Sequence, residues 1–349
     1  MGRLEGAARA RADRLFNVRP VHGQVDPPPE LEPWLEMVFG SVEAVRSQSV
    51  LEVTNLVTLE AALFAPLRGR RPIDGRRSAS DLAAEIATTE GDPFCRPETA
   101  TPRDTFGRVR GRRMLTGANA ALADAHHAVL VFDEHDPLAF DADLVADVFA
   151  TGRAWADRAL EADPAAGNYL LLWNCLWRAG GSIVHGHAQA LLGTGLEYGA
   201  PARFRRDAVA YAAVHDASLE ADLVAVHADL GLSVGDAQRV AILAHLTPIK
   251  EHETVVIGTP GMDERDPAFT DAVAHALLTL RDRLDVRSFN LALWRPPLTM
   301  APDDERPPIV RIVDRGDPAQ RASDIGAMEL YGTPVVGSDP YDLAAALRG

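Results

Sequence analysis

Two histidines one residue apart, His185 and His187, sit in the run Ser182-Ile-Val-His-Gly-His-Ala-Gln189, which Gly180 and Gly181 precede and Ala190-Leu191-Leu192 follow. In an extended segment alternate side chains share a face, so both imidazoles and Gln189 can point into one site. A neutral imidazole is a competent nucleophile near neutral pH and also a metal ligand. Gln189 can donate a hydrogen bond but cannot supply a proton at neutral pH. The hydroxyl of Ser182 and the amides around Gly180 and Gly181 are donors for an anion beside the pair.

Three other clusters carry chemistry or ordinary structure. Asp92-Pro-Phe-Cys95 has the spacing of a metal knuckle with Asp in the first position, and it is equally a structural turn. His135, in the turn 133–137, reads by itself as a loop histidine. The segment 67–72, with Arg68 and Arg71, is a compact basic loop directly after a strand, either a solvated turn or an anion-binding loop.

The bulk properties narrow the setting. The chain has 349 residues, a formal charge of −15 and a pI near 5.2, which argues against nucleic acid or an anionic membrane as its main partner. Two cysteines, Cys95 and Cys175, exclude a disulfide framework and suit a reducing compartment. No apolar run reaches the length of a membrane span, and residues 1–16 lack the apolar core of a signal peptide, so a cytoplasmic protein is expected.

Hydrophobic periodicity supplies the elements that must position these groups. Residues 1–30 read as a leading helix and a stiff proline loop, 51–57 and 61–64 as short strands, 128–132 as a strand, 141–162 as a helix and 168–174 as a strand. The plan returns with a strand at 254–257, a helix at 266–284 with Pro267 near its start, and strands at 289–294 and 309–313. Residues 201–230 read as one long helix carrying His215 and His227 as surface or packing histidines. Val129 and Val255, and likewise Ile183 and Ile309, are separated by 126 positions. A duplicated unit or a coincidence of a common α+β pattern explains this. The offset places Arg311 opposite His185 and Val313 opposite His187, so only the first copy is built for catalysis. The expected division is an N-terminal extension (1–45), a catalytic half (46–198) and a second half (199–349).

The pattern Asn174-x5-Gly-Gly-Ser-x-x-His-x-His-x-Gln189 resembles the galactose-1-phosphate uridylyltransferase family of the histidine-triad superfamily, whose usual signature is His-Pro-His-x-Gln. Similarity extends over roughly residues 50–348. Arg68 and Arg71 look like its phosphate-contacting loop, Asp92-x-x-Cys95 like its Cys-x-x-Cys, Asn119 like its nucleoside contact, and Glu329 like a hexose contact supplied by the partner subunit. The resemblance implies an α+β fold of two related halves, each an antiparallel sheet with a covering helix. It implies a nucleotidyltransferase acting on a nucleotide-sugar and a sugar 1-phosphate through a nucleotidylated His187, with Gln189 and Ser182 assisting and Asn174, Gly180 and Gly181 binding substrate. It also implies a homodimer and a structural zinc on Asp92, Cys95, His135 and His185; a vestigial site held by hydrogen bonds is the alternative. With Gln189 in place of a third histidine, a sugar phosphate or inorganic phosphate is favoured over water as the acceptor. A phosphorylase or hydrolase of a nucleotide diphosphate compound, or a nucleotide-binding protein without activity, are the competing functions. Besides Asp92 in place of a cysteine, three positions depart from the family: Gly186 replaces Pro, which would loosen the nucleophile segment; Trp294 stands where a histidine is usual; Ser323 stands where a lysine is usual.

Overall fold

The computed structural model describes residues 1–69, 79–236, 239–300, 306–320 and 324–349; Arg71, Ser323 and the Arg68 side chain lie outside the described residues. The strands in chain order are β1 (Phe16–Gln24), β2 (Ser47–Asn55), β3 (Ala61–Phe64), β4 (Met114–Ala118), β5 (His126–Phe132), β6 (Ala166–Cys175), β7 (His187–Thr194), β8 (Ser233–Asp236), β9 (Val240–Ala244), β10 (Thr254–Ile257), β11 (Phe289–Trp294), β12 (Ile309–Asp314) and β13 (Val335–Val336). They build a four-stranded sheet, β1-β2-β3-β13, and a nine-stranded sheet, β4-β5-β7-β6-β11-β12-β10-β9-β8.

The large sheet is two copies of one order joined edge to edge. β4-β5-β7-β6 in the first half matches β9-β10-β12-β11 in the second, and β6 pairs antiparallel with β11 across the seam. Each half places one long helix between its second and third strands, Ala142–Ala162 and Pro267–Arg283. Both helices start at a capping aspartate: Asp141 accepts from the Leu144 amide, and Asp266 accepts from the Ala268 amide just after Pro267, which satisfies donors that a helix N-terminus leaves orphaned. The α+β architecture expected from periodicity is therefore the one observed.

The alternation of β5 and β7 divides the first half into a core face and a site face. Ala128, Leu130, Phe132, Ala188, Ala190 and Leu192 are buried in the main core with Leu144, Val148, Phe149 and Trp155 of the covering helix. Val129 and Val131 point the other way, into a small cluster with Phe94, and His187 and Gln189 stand directly opposite them across the ladder.

The register corrects the alignment of the two halves. Val129 pairs with Gln189 and Val255 pairs with Arg311, so Arg311 occupies the station of Gln189, and Ile309, opposite Ile257, occupies that of His187. A constant offset of 126 fails because the second covering helix has 17 residues where the first has 21, and the chain reaches its third strand sooner. The corresponding face of the second half is apolar: Ala241, Leu243, Val255, Ile257 and Ile309 are buried under Phe204 and Trp294. Arg311 is locked there by Glu253 and Glu60, each at 2.5 Å, and lies over the Trp294 ring at 4.9 Å. Burial pushes the Glu60 carboxyl up, but Arg311 and His245 outweigh it and hold it well below the usual carboxylate range.

Two local expectations change. The leading segment is a shorter helix, Gly6–Leu15, followed by β1, whose nine residues pair with β2 in full. Residues 201–230 form two helices, Gly199–His215 and Leu219–Asp229. The break falls at Asp216, whose φ of 50° is left-handed, a conformation that ends a helix and that aspartate tolerates better than most side chains. Of the two readings offered for His227, surface or packing, the structure shows packing: it is fully buried.

Candidate active site

The metal-ligand candidates come from three segments and converge. Asp92 caps the short helix Pro93–Cys95, its Oδ1 accepting from the amides of Phe94 and Cys95. This turn brings the Asp92 carboxylate and the Cys95 thiol to one side. His135 comes from the loop after β5, and His185 from the segment entering β7. One ligand atom from each of the four residues lies within 4.8 Å of the others.

The hydrogen bonds around this group fix which atoms face inward. His185 Nε2 donates to the Phe132 carbonyl at 2.8 Å, and His135 Nε2 lies 3.2 Å from the Ile86 carbonyl and 3.0 Å from Thr89 Oγ1. Both Nδ1 atoms are thereby left as lone pairs, and they face each other at 3.1 Å. Cys95 Sγ is 3.3 Å from His135 Nδ1 and 3.5 Å from His185 Nδ1. Asp92 Oδ2 is buried with no hydrogen-bond partner. Converging lone pairs and an orphaned carboxylate oxygen repel one another unless a cation or protons lie between them. The two nitrogen–sulfur spacings fall on the edges, about 3.3–3.6 Å, of a tetrahedron built with zinc–nitrogen and zinc–sulfur bond lengths, the nitrogen–nitrogen one is slightly shorter, and Asp92 Oδ1 stands farther out, 3.8 Å from His185 Nδ1. The residues therefore fit a divalent metal with mixed nitrogen, sulfur and oxygen ligands.

His187 follows directly. Its Nδ1 donates to the His185 carbonyl at 2.8 Å, which leaves Nε2 with its lone pair. Burial lowers the His187 pKa from the ordinary imidazole value, the adjacent His185 adding to that and the bond to the His185 carbonyl opposing it; burial likewise lowers that of His185. Phe94 packs edge-on against both rings, with centroids 5.1 Å from His187 and 6.3 Å from His185. A neutral imidazole with a fixed tautomer is the form a nucleophile needs.

Gly186 is held, not loosened. Its N–H donates to the His135 carbonyl at 2.9 Å and its carbonyl accepts from the Phe132 amide at 2.9 Å. A Cβ there would come 2.7 Å from Phe132 Cδ2. Glycine in this position lets the backbone between the two histidines press against β5 and use an N–H that proline lacks.

The remaining predicted residues divide into two groups. Asn174, near the end of β6, lies on the face of Gln189, and its Oδ1 accepts from Asn290 at 2.7 Å. Gly180, Gly181 and Ser182 form the partly exposed turn between β6 and β7. Gly180 has a φ of 90°, and a Cβ on Gly181 would meet the Leu176 carbonyl oxygen at 2.9 Å, so this turn requires both glycines. Asn119 directly follows β4, its Oδ1 accepting from the Ala121 amide at 3.0 Å. Glu329 is not brought to His187 within the chain. It bonds Lys250 Nζ at 2.5 Å and the Gly326 amide at 2.8 Å, beside a cavity of about 560 Å³ lined also by Glu60 of the first half and by Phe204 and Trp294 of the second.

Residue-by-residue reading of the sequence missed His127 and Phe94. His127 Nε2 lies 2.8 Å from Gln189 Oε1. The period-two pattern His127, Val129, Val131 on β5 would have put it on the site face.

The fold is shared with solved structures of GalT-like proteins. An ADP-glucose phosphorylase from Arabidopsis thaliana with bound ADP-glucose superposes with a TM-score of 0.65 at 16% identity, over 86% of this chain and 98% of that one. A GalT-like protein from the same plant gives 0.59 at 15% identity, over 74% and 92%. A uridylyltransferase gives 0.58 at 16% identity, over 86% and 97%. No family model matches the sequence, and no curated protein matches it by sequence. Among the described residues no helix is long and apolar enough to cross a membrane.

Proposed function

We propose that the chain is a nucleotidyltransferase that cleaves a nucleoside-diphosphate sugar through a covalent intermediate on His187. The carrying observation is the free Nε2 of a buried, neutral His187 whose tautomer is fixed by the His185 carbonyl. In the first half-reaction Nε2 attacks the α-phosphorus, a P–N bond forms, and the bond to the bridging oxygen breaks to release a sugar 1-phosphate. In the second, an oxygen of a sugar 1-phosphate or of inorganic phosphate attacks the same phosphorus and His187 leaves as the neutral imidazole. Both leaving groups have low pKa values, so neither step needs a general acid, which suits Gln189 at the position where a proton donor would otherwise stand.

The other residues orient and neutralise. Gln189, Ser182 and the amides of Gly180 and Gly181 would hold phosphoryl oxygens, Asn119 and Asn174 the nucleoside portion, and Arg68 and Arg71 the distal phosphate. Asp92, Cys95, His135 and His185 would hold zinc, which supplies the charge that binds the three segments into one rigid support. Glu329, flanked by the exposed Leu330 and Tyr331, would act in the site of a second copy in a homodimer. The fold shared with a structure that contains ADP-glucose supports a nucleotide-sugar as the first substrate to try.

The test is positional exchange. Labelled sugar 1-phosphate should enter unlabelled nucleotide-sugar without any second nucleotide, with parallel-line kinetics; inorganic phosphate in place of sugar phosphate distinguishes a phosphorylase. Intersecting kinetics and no exchange would overturn the covalent route.

A further inference from the structure

His127 is buried, 5% exposed, at the start of β5, and it lies between two side chains that would face substrate. Its Nδ1 accepts from the Ala123 amide at 3.2 Å. A ring nitrogen that accepts carries no proton, so the proton is on Nε2. Nε2 then donates to Gln189 Oε1 at 2.8 Å. Asn119 Nδ2 lies farther from the same atom, at 3.3 Å, and its own oxygen is taken by the Ala121 amide. Two donors facing each other make no bond, so the short contact to Gln189 is the hydrogen bond.

A carboxamide has one acceptor end and one donor end. With Oε1 turned to His127, the NH2 of Gln189 is turned away from it, and on their shared face His187 stands on the opposite side of Gln189 from His127, two residues earlier on the same strand. We infer that His127 is a positioning residue for nucleotidyl transfer: its tautomer, set by the Ala123 amide, fixes the flip of Gln189 so that its NH2 donates to the phosphoryl oxygen during attack by His187. The same arrangement leaves the Asn119 NH2 for an acceptor on the nucleoside. This rests on the proposed function, but the orientation itself can be measured without it.

Two isosteric variants separate orientation from packing. His127→Gln keeps a donor close to where Nε2 stands and is the conservative rescue; His127→Glu offers only acceptors and would turn Gln189 around. The expected result is a kcat lowered by about 10- to 100-fold in His127→Glu, the scale of losing one preorganised donor, against about 3-fold in His127→Gln, with KM changed little in either and similar melting temperatures. In a Gln189→Ala background the two variants should have the same kcat. Equal losses in both, or a difference that persists without Gln189, would overturn the inference. Independently, 15N spectra of histidine-labelled protein should show His127 protonated on Nε2, and a proton on Nδ1 would overturn it. If the wild-type protein transfers no nucleotide, the proposed function falls and the spectra alone decide the role of His127.

Discussion

His187 Nδ1 donates to the carbonyl oxygen of His185 at 2.8 Å, while the ring of His185 is held by the Phe132 carbonyl and turns its own Nδ1 toward Asp92, Cys95 and His135. One residue thus serves two purposes: its side chain belongs to the candidate metal group and its backbone sets the tautomer of the neighbouring imidazole. Support and reactivity are coupled through a single peptide.

The coupling predicts the pH profile. His187 has a lowered pKa because of burial, so it is already neutral at and above the ordinary imidazole value of about 6.5. The rate of nucleotidyl transfer should be flat from there to mildly alkaline pH, and should fall only in more acidic solution as Nε2 takes a proton. Single-turnover rates between pH 5 and 8.5 would check this; a rate still rising tenfold per unit above pH 7 would contradict it. His187→Gly should lose roughly four orders of magnitude or more, and some stability as well, because a buried, hydrogen-bonded ring is removed from a strand.

Metal content follows from Asp92. Protein purified without an imidazole column should hold about one zinc per chain, and slow chelation should lower its melting temperature. Asp92→Asn preserves an oxygen that can cap the Pro93–Cys95 turn but removes the negative ligand, so it should fold and bind metal at least tenfold more weakly. Asp92→Cys should bind zinc more tightly yet cost about 1 kcal/mol of stability through the lost cap. Metal analysis with differential scanning fluorimetry reads both effects.

Gly186→Pro, which installs the residue usual in the signature that the sequence resembles, should be harmful in this chain. It removes the N–H donated to His135 and places atoms against Phe132; together these should cost about 2–4 kcal/mol. Denaturant unfolding and zinc affinity should both decline, because His135 and Phe132 also support the metal group. An unchanged midpoint would show that the segment repacks freely.

His227 predicts acid sensitivity. It is fully buried, its Nδ1 donating to Leu223 and its Nε2 accepting from Leu246; burial, reinforced by His245, pushes its pKa down to about 3. The unfolded state therefore binds a proton that the native state does not as pH falls from about 6.5 toward 3. Stability is fully present above that window and is lost through it, by up to about tenfold in the unfolding equilibrium per unit. His227→Gln should be less stable at pH 7 yet show a shallower decline between pH 6.5 and 5 in urea titrations.

Much of the site was legible because its residues are close in sequence or carry strong types. The four candidate ligands converge as the resemblance implied, and His187 and Gln189 share a strand face as alternation implied. The covering helices were legible from their apolar stripes and from Asp266-Pro267. The register of the second half was not, because a helix shortened by about one turn shifts every later residue without altering the hydrophobic pattern. Nor was β1 legible: Arg19, Pro20 and His22 interrupt its alternation, and it is defined by pairing with β2, a contact between distant segments. Gly186 shows the same limit, since only the approach of Phe132 explains why glycine is required.

The covalent step is open to one direct measurement. The protein, mixed with UDP- or ADP-sugar and quenched in base, where a phosphoramidate survives, should gain the mass of one nucleoside monophosphoryl group. Peptide mapping should place it on His187, and His187→Gly should show none. An unmodified mass in the wild-type protein while it turns the same substrate over would contradict a nucleophilic His187.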